Sequence, residues 1–118
     1  MVYKQGSKKY SISFYKNLSD QQLYSELIGL LNSILERQNE ESDYLHSNFN
    51  NHEEFLTYIN KIKSKLKSNN KTTLENLELD FLPTSTFQEL SISNDWSKDY
   101  LKLSKRFDLI HQVLTNRA

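Results

Sequence analysis

Cysteine is absent from the 118 residues, and proline, tryptophan and methionine occur once each and glycine only twice. Without cysteine there is no thiol nucleophile, no thiolate-bound iron–sulfur cluster and no cysteine-ligated zinc finger. The same absence fits a reducing compartment. Gly6 and Gly29 are isolated, so no glycine-rich loop is available to cradle phosphate. With one proline and two glycines, the chain carries few residues that break helices.

Long apolar runs are also missing. No segment approaches the roughly 18 apolar residues that a membrane span requires, and Met1 to Tyr10 lacks the apolar core of a secretory signal. The chain is therefore expected to be soluble and cytoplasmic, with no membrane association. An excess of one charge is absent as well, because fifteen basic residues balance fifteen acidic ones. Non-specific affinity for phosphate comes from counterion release by clustered cations, so a neutral sum argues against that role for the whole surface.

What is present is helical periodicity. One domain, residues 1–118, is expected, since this length can bury roughly two-thirds of its unfolded surface. Ser19-Asp-Gln-Gln22 reads as a capping box opening a helix over 19–38, with Leu18 placed to staple onto Leu23. Leu23, Leu27, Leu30 and Ile34 form one stripe, and Tyr24, Ile28, Leu31 and Leu35 form a second beside it. Gly29 within this helix suggests a close helix–helix approach. Asn51-His-Glu-Glu54 opens a helix over 51–68, with Phe55, Ile59, Ile62 and Leu66 spaced 4, 3, 4. Leu74, Leu77 and Phe81 predict a helix over 72–81, capped by Thr72 through a box with Glu75. The alternating Leu77-Glu-Leu-Asp-Phe81 also fits a strand, but the capping signal favours the helix.

Trp96, Tyr100, Leu103, Phe107, Ile110 and Leu114 recur at 4, 3, 4, 3, 4 and predict a helix over 95–115, with Asp95 as its cap. The sole proline and sole tryptophan bracket a corner. Pro83 ends what precedes it, Thr84 or Ser85 caps a short helix over 85–93 with Gln88 closing a box on Ser85, and Trp96 pins the joint to the last helix. Residues 1–17 form an arm. Within it, Tyr10-Ser-Ile-Ser-Phe-Tyr15 alternates with period two, which suggests a short strand pairing within or between chains. The fold expected is mainly α, a compact four- or five-helix bundle with a candidate N-terminal strand or arm.

Catalytic chemistry finds little support. Asp43 and His46 stand at i, i+3, half of the pattern used in di-iron bundles, a site that also needs further carboxylates from other helices. His46, His52 and His111 are expected at polar helix ends, and no metal or other cofactor is implied. No serine lies in a nucleophile elbow or a Ser-x-x-Lys motif. The pairs Glu40/Glu41 and Glu53/Glu54 have polar neighbours, with nothing to raise a pKa for general acid work. The chain is read as a non-enzyme.

Charge is segregated along the sequence. Glu36, Glu40, Glu41, Asp43, Glu53 and Glu54 meet only Arg37 within residues 36–54, whereas 61–71 carries Lys61, Lys63, Lys65, Lys67 and Lys71 with no acid. Acids interleaved with Tyr44 and Phe49 suit a basic protein surface, because charge steers encounter and aromatic residues anchor it. The partner-binding candidates are Glu40, Glu41, Asp43, Tyr44, Phe49, Glu53 and Glu54; Tyr44, Leu45 and Phe49 also fit a lid on the bundle. The expected function is non-catalytic protein binding, as in an inhibitor or immunity protein that neutralises a cationic toxin or nuclease domain. The alternative is a nucleic-acid accessory protein using Lys61 to Lys71, joined by Lys98, Lys102, Lys105 and Arg106 if the two helices lie side by side.

Overall fold

A computed structural model describes residues 10–45, 47–68, 70–82 and 85–117. Among them are six helices and no strand: α1 (Ile12–Lys16), α2 (Asp20–Glu36), α3 (His52–Lys67), α4 (Lys71–Asp80), α5 (Thr86–Ser93) and α6 (Ser97–Asn116). The mainly α bundle expected from the sequence is the fold observed. The period-two reading of Tyr10–Tyr15 is not, because the segment turns into α1. Ser11 sits at its N-cap and accepts from the Phe14 amide at 3.2 Å, which favours a helical turn over extension. Phe14 and Tyr15 are adjacent yet both pack, with ring centroids 5.2 Å apart, and Tyr15 is fully buried. A strand would have sent them to opposite faces.

The second helix organises the rest. The Ser19 box forms as expected, with the Gln22 amide donating to Ser19 Oγ at 3.1 Å and the Ser19 amide to Gln22 Oε1 at 2.9 Å. Both stripes of α2 contribute to the core, through Leu23, Leu27, Leu30 and Ile34 on one side and Tyr24 and Leu31 on the other. α3 and α6 pack along α2, α1 and α5 pack on α6, and α4 packs on α3. Gly29 marks no close approach. Its position is exposed and a methyl group there would meet nothing within 4 Å.

Three predicted caps differ. α4 is capped by Asn70, whose side chain accepts from the Thr73 amide at 2.9 Å, so the Thr72 box does not form and Thr73 is buried instead. Ser85 holds the N-cap position of α5 without a side-chain cap bond, since its hydroxyl donates back to the Leu79 carbonyl at 2.7 Å. Pro83 and Thr84 lie outside the described residues. Asp95 does not cap α6; it adopts φ 65, and Trp96 takes the N-cap position. The Trp96 amide donates to the Ser91 carbonyl at 2.9 Å, the six-to-one bond of a Schellman turn, which needs a left-handed residue where Asp95 stands.

Below this corner lies an aromatic cluster centred on Phe81. Phe81 stacks on Phe107 at 4.4 Å, meets Phe87 edge-on at 5.0 Å, and receives a hydrogen bond on its carbonyl from the Tyr100 hydroxyl at 3.0 Å. Trp96 is buried, as the helical stripe required.

Candidate functional site

Loop 37–51 joins α2 to α3 and carries most of the acidic candidates. Its described residues form no helix, so their backbone donors need other partners. Serine, asparagine and aspartate side chains supply them. The Asn39 amide donates to Ser42 Oγ at 2.8 Å, the Glu41 amide to Asn39 Oδ1 at 2.7 Å, and the Leu45 amide to Asp43 Oδ1 at 2.8 Å. The asparagine and serine richness of the sequence thus has a local structural use here.

Four long-range hydrogen bonds fasten the loop to the α5–α6 corner and to α6. Arg37 Nε donates to Asp99 Oδ2 at 3.1 Å. The Trp96 indole N–H donates to Gln38 Oε1 at 2.8 Å within the core. The Asp43 amide donates to Asn94 Oδ1 at 2.6 Å while Asn94 Nδ2 donates to the Asp43 carbonyl at 2.9 Å, so one side-chain amide pairs with a backbone amide as a strand edge would. Asn94 Nδ2 also reaches the Leu90 carbonyl at 2.9 Å, which ties the clamp to the end of α5.

The structure sorts the aromatic candidates. Tyr44 is only 7 % exposed; its hydroxyl bonds to His52 Nδ1 at 2.6 Å, and its ring packs 5.7 Å from Phe55. Burial pushes its phenol pKa up, opposed by the nearby Gln38 amide. Among the described residues Gln38 Nε2 nevertheless has no hydrogen-bond partner. Phe49 is half-buried, edge-on to Phe55 at 5.3 Å and tilted against Tyr58 at 5.2 Å. Tyr44 is a lid residue and Phe49 the rim of that lid. The side chain that projects is Leu45, 79 % exposed, which sequence reasoning had placed with the lid. A shallow bowl of about 410 Å³ is lined by Leu45, Phe49, Glu40, Ser47, Asn50 and the α3 cap residue Asn51.

Glu40, Glu41, Asp43, Glu53 and Glu54 are all exposed, as an encounter surface requires. Glu54 is partly committed. It accepts from the Asn50 amide at 2.9 Å while its own amide donates to the Asn51 cap at 2.9 Å. Glu40, Glu41 and Glu53 form no ion pair among the described residues.

The lysine candidates lie elsewhere. Lys61, Lys65, Lys67 and Lys71 are exposed and Lys63 is half-buried, along α3 and the start of α4. The α6 cations do not join them in one strip, because α3 and α6 each pack along α2 and make no extended contact with one another.

Of the histidines, His46 lies outside the described residues. His52 is held by Tyr44, and His111 Nε2 stands 3.4 Å from Glu78 Oε1. No group of three potential metal ligands occurs among the described residues, and no described helix is long and apolar enough to cross a membrane. No protein-family model, curated protein or solved structure matches the chain.

Proposed function

We propose that the protein is a non-catalytic cytoplasmic binder that captures a basic protein surface through loop 37–51 and the first turn of α3. An inhibitor or immunity protein facing a cationic toxin or nuclease domain uses this kind of chemistry. The observation that carries the reading is Leu45, an exposed leucine on a loop fastened at Gln38 and Asp43 and flanked by exposed carboxylates. A single exposed leucine is ordinary on a protein surface. One held on a pre-organised loop inside an acidic field has the form of an anchor, because little ordering entropy remains to be lost on binding. Glu40, Glu41, Asp43 and Glu53 supply attraction, and the rim of Phe49 adds apolar area beside Leu45.

The reading with Lys61, Lys63, Lys65, Lys67 and Lys71 on nucleic acid has less support. Those lysines are separate from the α6 cations, and the formal net charge is zero. Fluorescence anisotropy with duplex DNA and RNA at about 150 mM salt distinguishes the two, since sub-micromolar, salt-sensitive binding lost in Lys65→Glu favours the lysines. The direct test of the proposal is affinity capture from the host with wild type, Leu45→Glu and Glu40→Lys/Glu41→Lys/Asp43→Lys as parallel baits. A basic protein held by wild type and lost by both variants supports it. One held equally by all three removes the loop from the function.

A further inference from the structure

A second concave surface runs beside α6, a groove of about 640 Å³ lined by Tyr10, Arg37, Lys102, Lys105, Arg106 and Leu109. It is separate from the acidic loop's bowl, and among the described residues its only lining carboxylate is Asp99. We propose that this groove binds an acidic peptide segment bearing an apolar side chain.

The cations divide into fixed and available. Arg106 is built into the fold, donating from Nε to the Tyr15 hydroxyl and from Nη2 to Glu26, both at 3.1 Å, with its guanidinium 3.8 Å from the Tyr10 ring centroid. Arg37 spends only Nε on Asp99, which leaves both Nη groups without a partner among the described residues. A guanidinium fork of this kind matches a carboxylate in two-point geometry. Lys102 and Lys105 are exposed and make no ion pair among the described residues. They lie three residues apart on α6, about one turn, so they face the same side as neighbouring cations.

The rest of the lining selects the class of ligand. Leu103 and Leu109 give the groove apolar surface. A phosphodiester backbone has nothing to place there, whereas a peptide has leucine or phenylalanine. Bases stack on open aromatic faces, but the Tyr10 ring is covered by Arg106 and stacked on Tyr15 at 6.4 Å. Three available cations also neutralise too few phosphates for firm nucleic-acid binding at physiological salt, where affinity rests on roughly six to ten contacts. Carboxylates on Arg37, Lys102 and Lys105, with an apolar side chain on the leucine floor, use every feature of the groove.

The test is fluorescence anisotropy with a labelled peptide of about fourteen residues, in which glutamates flank a leucine face at helical spacing. Binding to the full chain near 10 μM is expected, about tenfold weaker in Lys102→Glu/Lys105→Glu and weaker in Arg37→Lys, which keeps charge but loses the fork. The charge-matched control Lys61→Glu/Lys65→Glu on α3 should bind as wild type does. All altered lysines are exposed, and circular dichroism checks that each variant folds. No saturation up to about 1 mM, equal weakening in the α3 control, or tighter binding of a thymidine oligonucleotide of about twenty residues than of the peptide would each overturn the proposal.

Discussion

Trp96 donates its indole N–H to the side-chain carbonyl of Gln38 at 2.8 Å, joining the α5–α6 corner to the end of α2 within the core. Both residues are nearly inaccessible to solvent, and Trp96 adds an edge contact to Tyr100 at 6.3 Å. Trp96→Ala should therefore cost about 3–5 kcal/mol, combining lost burial with an orphaned Gln38 carbonyl. Trp96→Phe/Gln38→Leu should recover part of the loss seen in Trp96→Phe alone, because removing both partners leaves no polar group stranded. Urea melts of wild type, Trp96→Phe, Gln38→Leu and the double variant measure this coupling; strict additivity would make the bond energetically silent.

Gly29→Ala should stabilise the protein. The residue lies mid-helix in α2 at an exposed position, and an added methyl meets nothing within 4 Å. Glycine costs a helix interior about 0.5–1 kcal/mol relative to alanine, so a gain of that order is expected in thermal or urea melts. A loss would show that the site is crowded after all.

Asp95→Gly should also stabilise, by about 0.5 kcal/mol or more. Asp95 holds φ 65 in the Schellman turn, a conformation that glycine adopts without a Cβ penalty. Asp95→Val, which tolerates that region worst, should destabilise. Equal stability of the two variants would mean that the turn opens without cost.

The helices were legible because their apolar residues repeat at 3.6 while few glycines or prolines interrupt them; α6 and the Ser19 and Asn51 caps follow directly from that. Two errors have one cause. At Tyr10–Tyr15 and at Asn94–Trp96, a short polar residue's alternative uses decided the local structure: Ser11 became a cap, and Asp95 a left-handed turn residue. The loop was legible as acidic but not as fastened, because Gln38–Trp96 and Asp43–Asn94 span more than fifty residues and no periodicity encodes them. For the same reason Tyr44 and Leu45, adjacent in sequence, could not be assigned to core and surface beforehand. The Arg37 side of the α6 groove left no sequence signal, since Arg37 reaches it only through the packing of α2 on α6.

Asp80 gives stability a distinctive pH dependence. Burial raises its carboxyl pKa above the ordinary range, against the opposing hydrogen bonds from Tyr58 and Thr86. The folded state then holds this proton more tightly than the unfolded chain. The group's contribution to stability is full below the ordinary carboxylate pKa and is lost as pH rises through the raised folded value. Asp80→Asn keeps an acceptor for the Tyr58 hydroxyl but removes the titration. Urea melts from about pH 4 to 7 should show the variant gaining on wild type as pH rises. Parallel curves would mean that Asp80 ionises in the fold as it does in the unfolded chain.

The loop's residues should fail in three different ways on the captured partner. Reversing Glu40, Glu41 and Asp43 to lysine should mainly slow association, by an amount that shrinks with added salt, since exposed charges are screened within about 8–10 Å. Leu45→Ala should leave the melting temperature unchanged, because the side chain is 79 % exposed, yet it should speed dissociation and cost about 2 kcal/mol of affinity if it is the anchor. Tyr44→Ala should do the reverse, lowering the melting temperature while each folded molecule binds normally. Asn94→Ala separates positioning from contact. It removes both bonds to the Asp43 backbone, so amide exchange in the loop should accelerate and affinity should fall, although Asn94 itself need not touch the partner. Surface plasmon resonance paired with melts and hydrogen exchange reads all four variants. If Asn94→Ala loosens the loop and affinity is unchanged, pre-organisation has no part in recognition, and Leu45 then acts as a contact on a loop that orders only when bound.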